Sequence, residues 1–136
     1  MYLRRRIPYV DDSSLINLAV STFNIESTMF RNILKRANEV IVICNNDDEI
    51  IGFLCYRFVI KDVVFIEFIV LDPNYQGKGI AHSFLPDIIK YAKKQGIKGA
   101  VGYVSKNNPK ALKIFKGWGF RPIINSSNGI LIGRHI

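Results

Sequence analysis

The period of the apolar positions changes along the chain, and the changes lay out its elements. Residues 2–9 read as a short strand, after which Asp11, Asp12 and Ser13 offer N-caps to a helix that turns Leu15, Leu18, Ala19, Val20 and Phe23 inward. Ser27 or Thr28 opens a second, shorter helix through Ala37. Residues 40–44, 50–60 and 63–71 are rich in Val, Ile and Phe and are parted by Asn-Asn-Asp-Asp and Lys-Asp turns, which predicts an antiparallel meander. Then helical spacing returns with Ile80, Phe84, Leu85, Ile88, Ile89 and Ala92, ending near Gly96. Residues 100–104 form another strand. Asn108 and Pro109 start a helix that shows Leu112, Phe115 and Trp118 to the core and stops at Gly119. Two strands near residues 122–124 and 130–134 close the chain. The order βααβββαβαββ is that of an α+β fold in three layers, a mixed central sheet flanked by helices. Pro86, about two turns into the long helix, removes a backbone bond there and predicts a kink.

Neither a repeat nor a Pro/Ser-rich linker divides the 136 residues, so one domain over 1–136 is expected. No stretch approaches the roughly 20 apolar residues of a bilayer span, and residues 1–8 lack the apolar run of a signal peptide. The expected location is therefore the cytoplasm, without a membrane partner. Cys44 and Cys55 lie inside apolar strands in neither metal-ligand nor CxxC spacing and read as buried thiols, with no metal expected.

Charge changes the picture through its placement. Between residues 77 and 120 stand nine lysines and a single acid, Asp87, so this segment alone carries the chain's net charge of +8. A one-sided positive field fits an anionic partner, either a phosphate-bearing cofactor or a nucleic acid, although lysines on solvated helix faces are ordinary.

The segment Leu71-Asp72-Pro73-Asn74-Tyr75-Gln76-Gly77-Lys78-Gly79-Ile80-Ala81 decides between these. A buried strand ends, and a loop with two glycines opens directly onto a helix. Such a loop lets backbone amides approach an anion, the helix start adds N–H groups and positive potential, and Lys78 adds charge. Two glycines alone would sooner indicate a plain tight strand-to-helix turn. The sequence lacks G-x-x-x-x-G-K-[ST], and the dinucleotide fingerprint requires a third glycine and an initial βαβ unit.

These residues resemble the GNAT superfamily of N-acetyltransferases. The family's Q/R-x-x-G-x-G/A is matched by Gln76 to Ala81, and its N-x-x-A-x-x-x-Y-x-x-x-G-F block by Asn108, Ala111, Phe115, Gly119 and Phe120. The element order agrees over nearly the whole chain. The resemblance implies an acetyl-CoA-dependent enzyme that acetylates a primary amine on a small molecule, a peptide N-terminus or a lysine. Acetyl-CoA would lie where the fourth and fifth strands splay. Its pantetheine arm would pair with the backbone of Ile69 and Leu71, and its pyrophosphate would sit on the amides of Gln76, Gly77, Lys78, Gly79, Ile80 and Ala81. Asn108 would bind the pantetheine arm or order the site, and its position suits a plain N-cap equally. The amide of Val70 or Leu71 would polarise the thioester carbonyl.

Glu67, the only acid in residues 63–71, is the general-base candidate; period-two alternation puts it on the face of Ile69 and Leu71, and a solvent-facing or lysine-paired edge is its alternative. The family's thiolate-protonating tyrosine is here Phe115, which has no proton to give. Tyr103 is the substitute acid, with plain packing as its alternative; a thiol of pKa about 8.5 also leaves acceptably without one. His82 is read as a surface or packing residue.

Two other classes follow from the same residues: a CoA-binding or sensing domain impaired in catalysis, motivated by Phe115, and a small basic nucleic-acid-binding protein. Against the latter, the aromatics occupy apolar strand and helix positions rather than interleaving with the lysines. Both a monomer and a homodimer are compatible with the sequence, and residues 11–37 and 125–136 carry no motif that names the acceptor.

Overall fold

A computed structural model describes all residues 1–136. The elements are β1 (Tyr2–Arg5), α1 (Pro8–Phe23), α2 (Ser27–Arg36), β2 (Glu39–Cys44), β3 (Ile50–Ile60), β4 (Val63–Leu71), a 3-10 turn (Pro73–Tyr75), α3 (Ile80–Lys94), β5 (Gly99–Ser105), α4 (Pro109–Gly117), β6 (Arg121–Asn125) and β7 (Gly129–His135). This is the expected βααβββαβαββ. The strands form a mixed seven-stranded sheet in the order β1-β2-β3-β4-β5-β7-β6, in which β1–β2, β2–β3, β5–β7 and β7–β6 pair antiparallel and β4–β5 parallel. That parallel register runs from Val63↔Gly99 to Ile66↔Gly102, engaging the first four of β4's nine residues.

The chain divides into two compact units, residues 1–57 with 67–76, and residues 58–66 with 77–136. In the first, Leu15, Ile16 and Ala19 of α1 and Phe30, Ile33 and Leu34 of α2 pack with Val40, Val42 and Cys44 of β2, Phe53 and Cys55 of β3 and Val70 of β4. Phe30 meets both Phe53 and Phe68, with ring centroids 5.6 and 5.3 Å apart. Gly52 of β3 sits where only glycine fits: a Cβ there would lie 2.6 Å from the Val70 carbonyl oxygen. Because that neighbour is backbone, Gly52→Ala must displace β4 at Val70. A loss of about 1–3 kcal/mol is expected, read as a lower urea midpoint at unchanged slope.

Two helix starts differ from the sequence expectation. α1 begins at Pro8 rather than after Asp11–Ser13, because proline at the first position is preorganised for a helix, and Asp11 instead accepts the Ile7 N–H at 2.7 Å from inside the first turn. α2 is capped by Glu26, whose carboxylate accepts the amides of Thr28 and Met29 at 3.0 and 3.2 Å, so Ser27 and Thr28 lie inside the helix. α3 continues through Pro86 to Lys94.

In the second unit β5 pairs with β7, and β7 with β6. Phe84 of α3, Phe115 of α4, Trp118, Phe120 and Ile132 of β7 are buried there. No helix is long and apolar enough to cross a membrane.

Candidate acyl-CoA and acceptor elements

In the second unit, Gly77 and Gly79 both adopt left-handed backbone, φ 74° and 73°, and a Cβ at either would meet nothing within 4 Å. Backbone conformation, not crowding, therefore selects glycine at these positions. Gly79 is the N-cap of the fifteen-residue α3 and supplies no side-chain cap, and the first helical bond runs from the Ser83 N–H to the Gly79 carbonyl at 3.0 Å. The amides of Ile80, Ala81 and His82 precede that bond, so the helix start presents donors together with its positive potential, and Lys78 is exposed beside them. This geometry suits a phosphate.

Asn108 caps α4, its side-chain oxygen accepting the Ala111 N–H at 3.2 Å. The cap role is thus present in the fold. Phe115, seven residues on, is buried against Phe120, with centroids 5.1 Å apart, and its ring lies beside Gly102 of β5. The position where the family carries its tyrosine is here part of the packed interior. Tyr103 is half exposed, and its ring and hydroxyl lie over Gly129 of β7, where a Cβ would come within 2.6 Å of the hydroxyl oxygen.

In the first unit, β4 carries Ile69 and Leu71, both half-buried, on either side of Val70, which is in the core. The Gln76 side-chain amide donates to the Leu71 carbonyl at 2.8 Å, and the Asp72 N–H to the Ile51 carbonyl at 2.7 Å, so the end of the strand is fastened from two directions.

Glu67 is placed differently from the alternation expected. Its side chain is 5% exposed and paired with two guanidiniums: Arg36 at the end of α2, with Nη2 3.1 Å from Oε2, and Arg57 of β3, with Nε 3.0 Å from Oε1. The next residue, Phe68, packs on Phe30 of α2 and Phe23 of α1. Consecutive residues thus both meet the α1–α2 side, which strict period two forbids, so the strand departs from alternation at Glu67–Phe68. The field of this carboxylate reaches the core: burial, with the Glu67 charge adding to it, pushes the Cys55 thiol up to about 12. A carboxylate this buried needs its countercharges, and Arg36 and Arg57 provide them. Sequence reasoning missed both arginines. They come from elements separated in the chain from β4, and no spacing links residues 36, 57 and 67.

The chain spans 43% of the length of an uncharacterized N-acetyltransferase of Methanocaldococcus jannaschii, to which it is 27% identical over 97 residues, or 67% of its own length. Among solved structures it resembles the PaiA N-acetyltransferase of Thermoplasma acidophilum in complex with coenzyme A (TM-score 0.76, 18% identity, both chains fully covered). It also resembles Ard1 of Thermoplasma volcanium (TM-score 0.82, 15% identity, 99% and 97% of the two chains covered). The family model described as Acetyltransferase (GNAT) family matches residues 13–120. With four-fifths of the sequence inside that match, and with the family's element order in its fold, the chain belongs to the GNAT acetyltransferase family.

Proposed function

We propose that the protein is an acetyl-CoA-dependent N-acetyltransferase acting on a primary amine, with residues 1–136 as one acetyltransferase domain. The observation that carries this reading is the start of α3: two left-handed glycines, a helix without a side-chain cap and an adjacent lysine, all within the family's motif. The pyrophosphate is assigned to the amides of residues 76–81, with Lys78 adding charge, and the pantetheine arm to the backbone of Ile69 and Leu71. Asn108 orders α4 as its cap and is assigned a contact to the same arm. The co-crystallised CoA of the Thermoplasma acidophilum relative supports a CoA ligand for this fold.

In the reaction a neutral amine attacks the thioester carbonyl, a strand amide at Val70 or Leu71 stabilises the oxyanion, and collapse expels CoA thiolate while forming the amide. Glu67 takes the proton from the amine nitrogen, directly or through a water, since its oxygens already receive two arginines. Phe115 supplies no acid, so the thiolate leaves unprotonated or takes a proton from Tyr103.

Calorimetric titration with acetyl-CoA and desulfo-CoA, with ATP and NAD as controls, tests the cofactor assignment: the CoA compounds are expected to bind selectively, and absence of binding overturns it. Glu67→Gln is expected to lower kcat about 10²–10⁴-fold, the usual worth of a general base, with CoA affinity retained. A variant as fast as the parent at every pH removes Glu67 from that role.

A further inference from the structure

The second unit contains a cavity of about 690 Å³ that no part of the acetyl-transfer reading uses. It lies where β4 and β5 begin, at the end of β5 opposite the turn to Asn108. Strand register builds its floor. Val63, Gly99 and His135 stand in one row across β4, β5 and β7, and Val101, Gly133 and Arg121 in the next across β5, β7 and β6. Residues two apart on a strand share a face, so both rows look the same way. Gly102 and Ile132 belong to the opposite face, where a Cβ on Gly102 would meet the Phe115 ring at 3.5 Å. The two glycines leave the floor as nearly bare backbone, and Val63, Val101 and Ile123 make its surroundings apolar. Ile123 leans over Gly133, where a Cβ would come within 2.5 Å of its Cδ1, and is still 56% exposed.

The charge around the cavity has one sign. Its lining includes Lys98, Arg121 and Arg134 and no acid. Lys98 meets Asp62 at 4.0 Å, the outer limit of an ion pair. Arg134 gives Nη1 and Nε to the carbonyls of Trp118 and His135, which hold the side chain without neutralising it. Arg121, exposed at the start of β6, makes no ion pair.

We propose that this cavity is a binding site for a small apolar carboxylate, with its flat body on the glycine floor and its carboxylate on the Arg121 guanidinium. The volume is that of a site for one small molecule. A planar guanidinium offers a carboxylate two parallel N–H groups, and the bare sheet surface accepts a flat ring. An inorganic anion would leave the apolar walls unused, and a neutral apolar molecule the charge. A second copy of the chain fits poorly. A two-fold contact through this face would bring like charges together, and Pro122, with the irregularity between Pro122 and Ile124, spoils β6 for strand addition. The proposal is independent of the acetyltransferase reading.

Titration of the full chain with 2-naphthoate and with its neutral counterpart 2-naphthalenemethanol, followed through backbone amide and arginine Nε–Hε resonances, tests this. The carboxylate is expected to shift Gly99, Val101, Gly133 and the Arg121 side chain. It should bind about fivefold more tightly than the alcohol, the upper end of what a solvent-exposed ion pair contributes, and added salt should erode that preference. Arg121→Gln should remove the preference while keeping the alcohol's affinity, and Arg121→Lys should restore part of it. Gly99→Val should weaken both probes about tenfold or more by filling the floor; a Cβ there meets nothing nearer than Val63 at 3.5 Å, so the strand accepts it. Equal affinity for the two probes, or a preference that survives Arg121→Gln, overturns the carboxylate assignment. Shifts confined to other residues, or none, overturn the site. Movement of the same resonances with protein concentration alone, accompanied by the slower tumbling of a dimer, overturns it in favour of a contact between copies.

Discussion

Gly79→Asp should weaken binding of CoA about 100-fold or more, whereas Gly79→Asn should cost less than about tenfold. The two side chains are nearly isosteric, and both Asn and Asp tolerate left-handed backbone better than other residues, so the φ of 73° penalises them alike. What separates them is the charge. Open space surrounds the Cβ position, so steric expulsion of the loop contributes little, and a carboxylate there stands at the helix start assigned to the pyrophosphate. Raising the ionic strength should recover part of the loss for Asp and little for Asn. Calorimetry with CoA at two salt concentrations reads all of this. Parent-like affinity in both variants would remove the pyrophosphate from the start of α3.

The largest expected effect on stability lies at the N-terminal strand. Asp11 is 2% exposed, and Arg4 grips both its oxygens, with Nη1 2.7 Å from Oδ2 and Nη2 2.8 Å from Oδ1. Arg4→Met leaves this carboxylate buried, held by the Ile7 N–H but without its guanidinium, and about 3–5 kcal/mol should be lost, because removing one member of a buried pair costs more than the pair contributes. The double variant with Asp11→Asn should regain part of that loss. The pH dependence gives an independent check. The Arg4 guanidinium, helped by the Ile7 amide and opposed by burial, holds the Asp11 carboxyl below the usual range. Its contribution is therefore present above the unfolded value near pH 4 and disappears as the pH falls through the lowered folded value. Denaturation midpoints of parent and Arg4→Met should converge on acidification. A gap that stays constant from pH 7 down to pH 3 would show that the pair is not its source.

The sequence carried the element order because the spacing of apolar residues changes sharply from the meander to α3, and because Asn108-Pro109 is a start signal with a local mechanism. It carried the two glycines for the same reason: left-handed backbone restricts the residue type directly. The start of α1 was misplaced although Pro8 marked it, since a strand reading of residues 2–9 competes with that signal. Glu67 was found by composition, as the only acid in its strand, but its side was not. One local departure from alternation reverses a face and leaves no trace in residue type. Arg36 and Arg57 were illegible because their meaning is tertiary: each is an unremarkable surface cation until the fold delivers it to a buried acid.

The run Arg4-Arg5-Arg6 also sets an order of events during folding. Its three members are pledged to Asp11, Glu39 and Asp12 in turn. The outer two reach only six or seven residues along the chain, but Arg5 and the strand pairing of β1 must wait for β2, nearly forty residues later. As the chain is synthesised, the two local pairs can tether the first residues to the start of α1 before any sheet partner exists. They shorten the excursion over which β1 must find its place, and so reduce the loop-closure entropy of the most sequence-distant pairing in that half of the sheet.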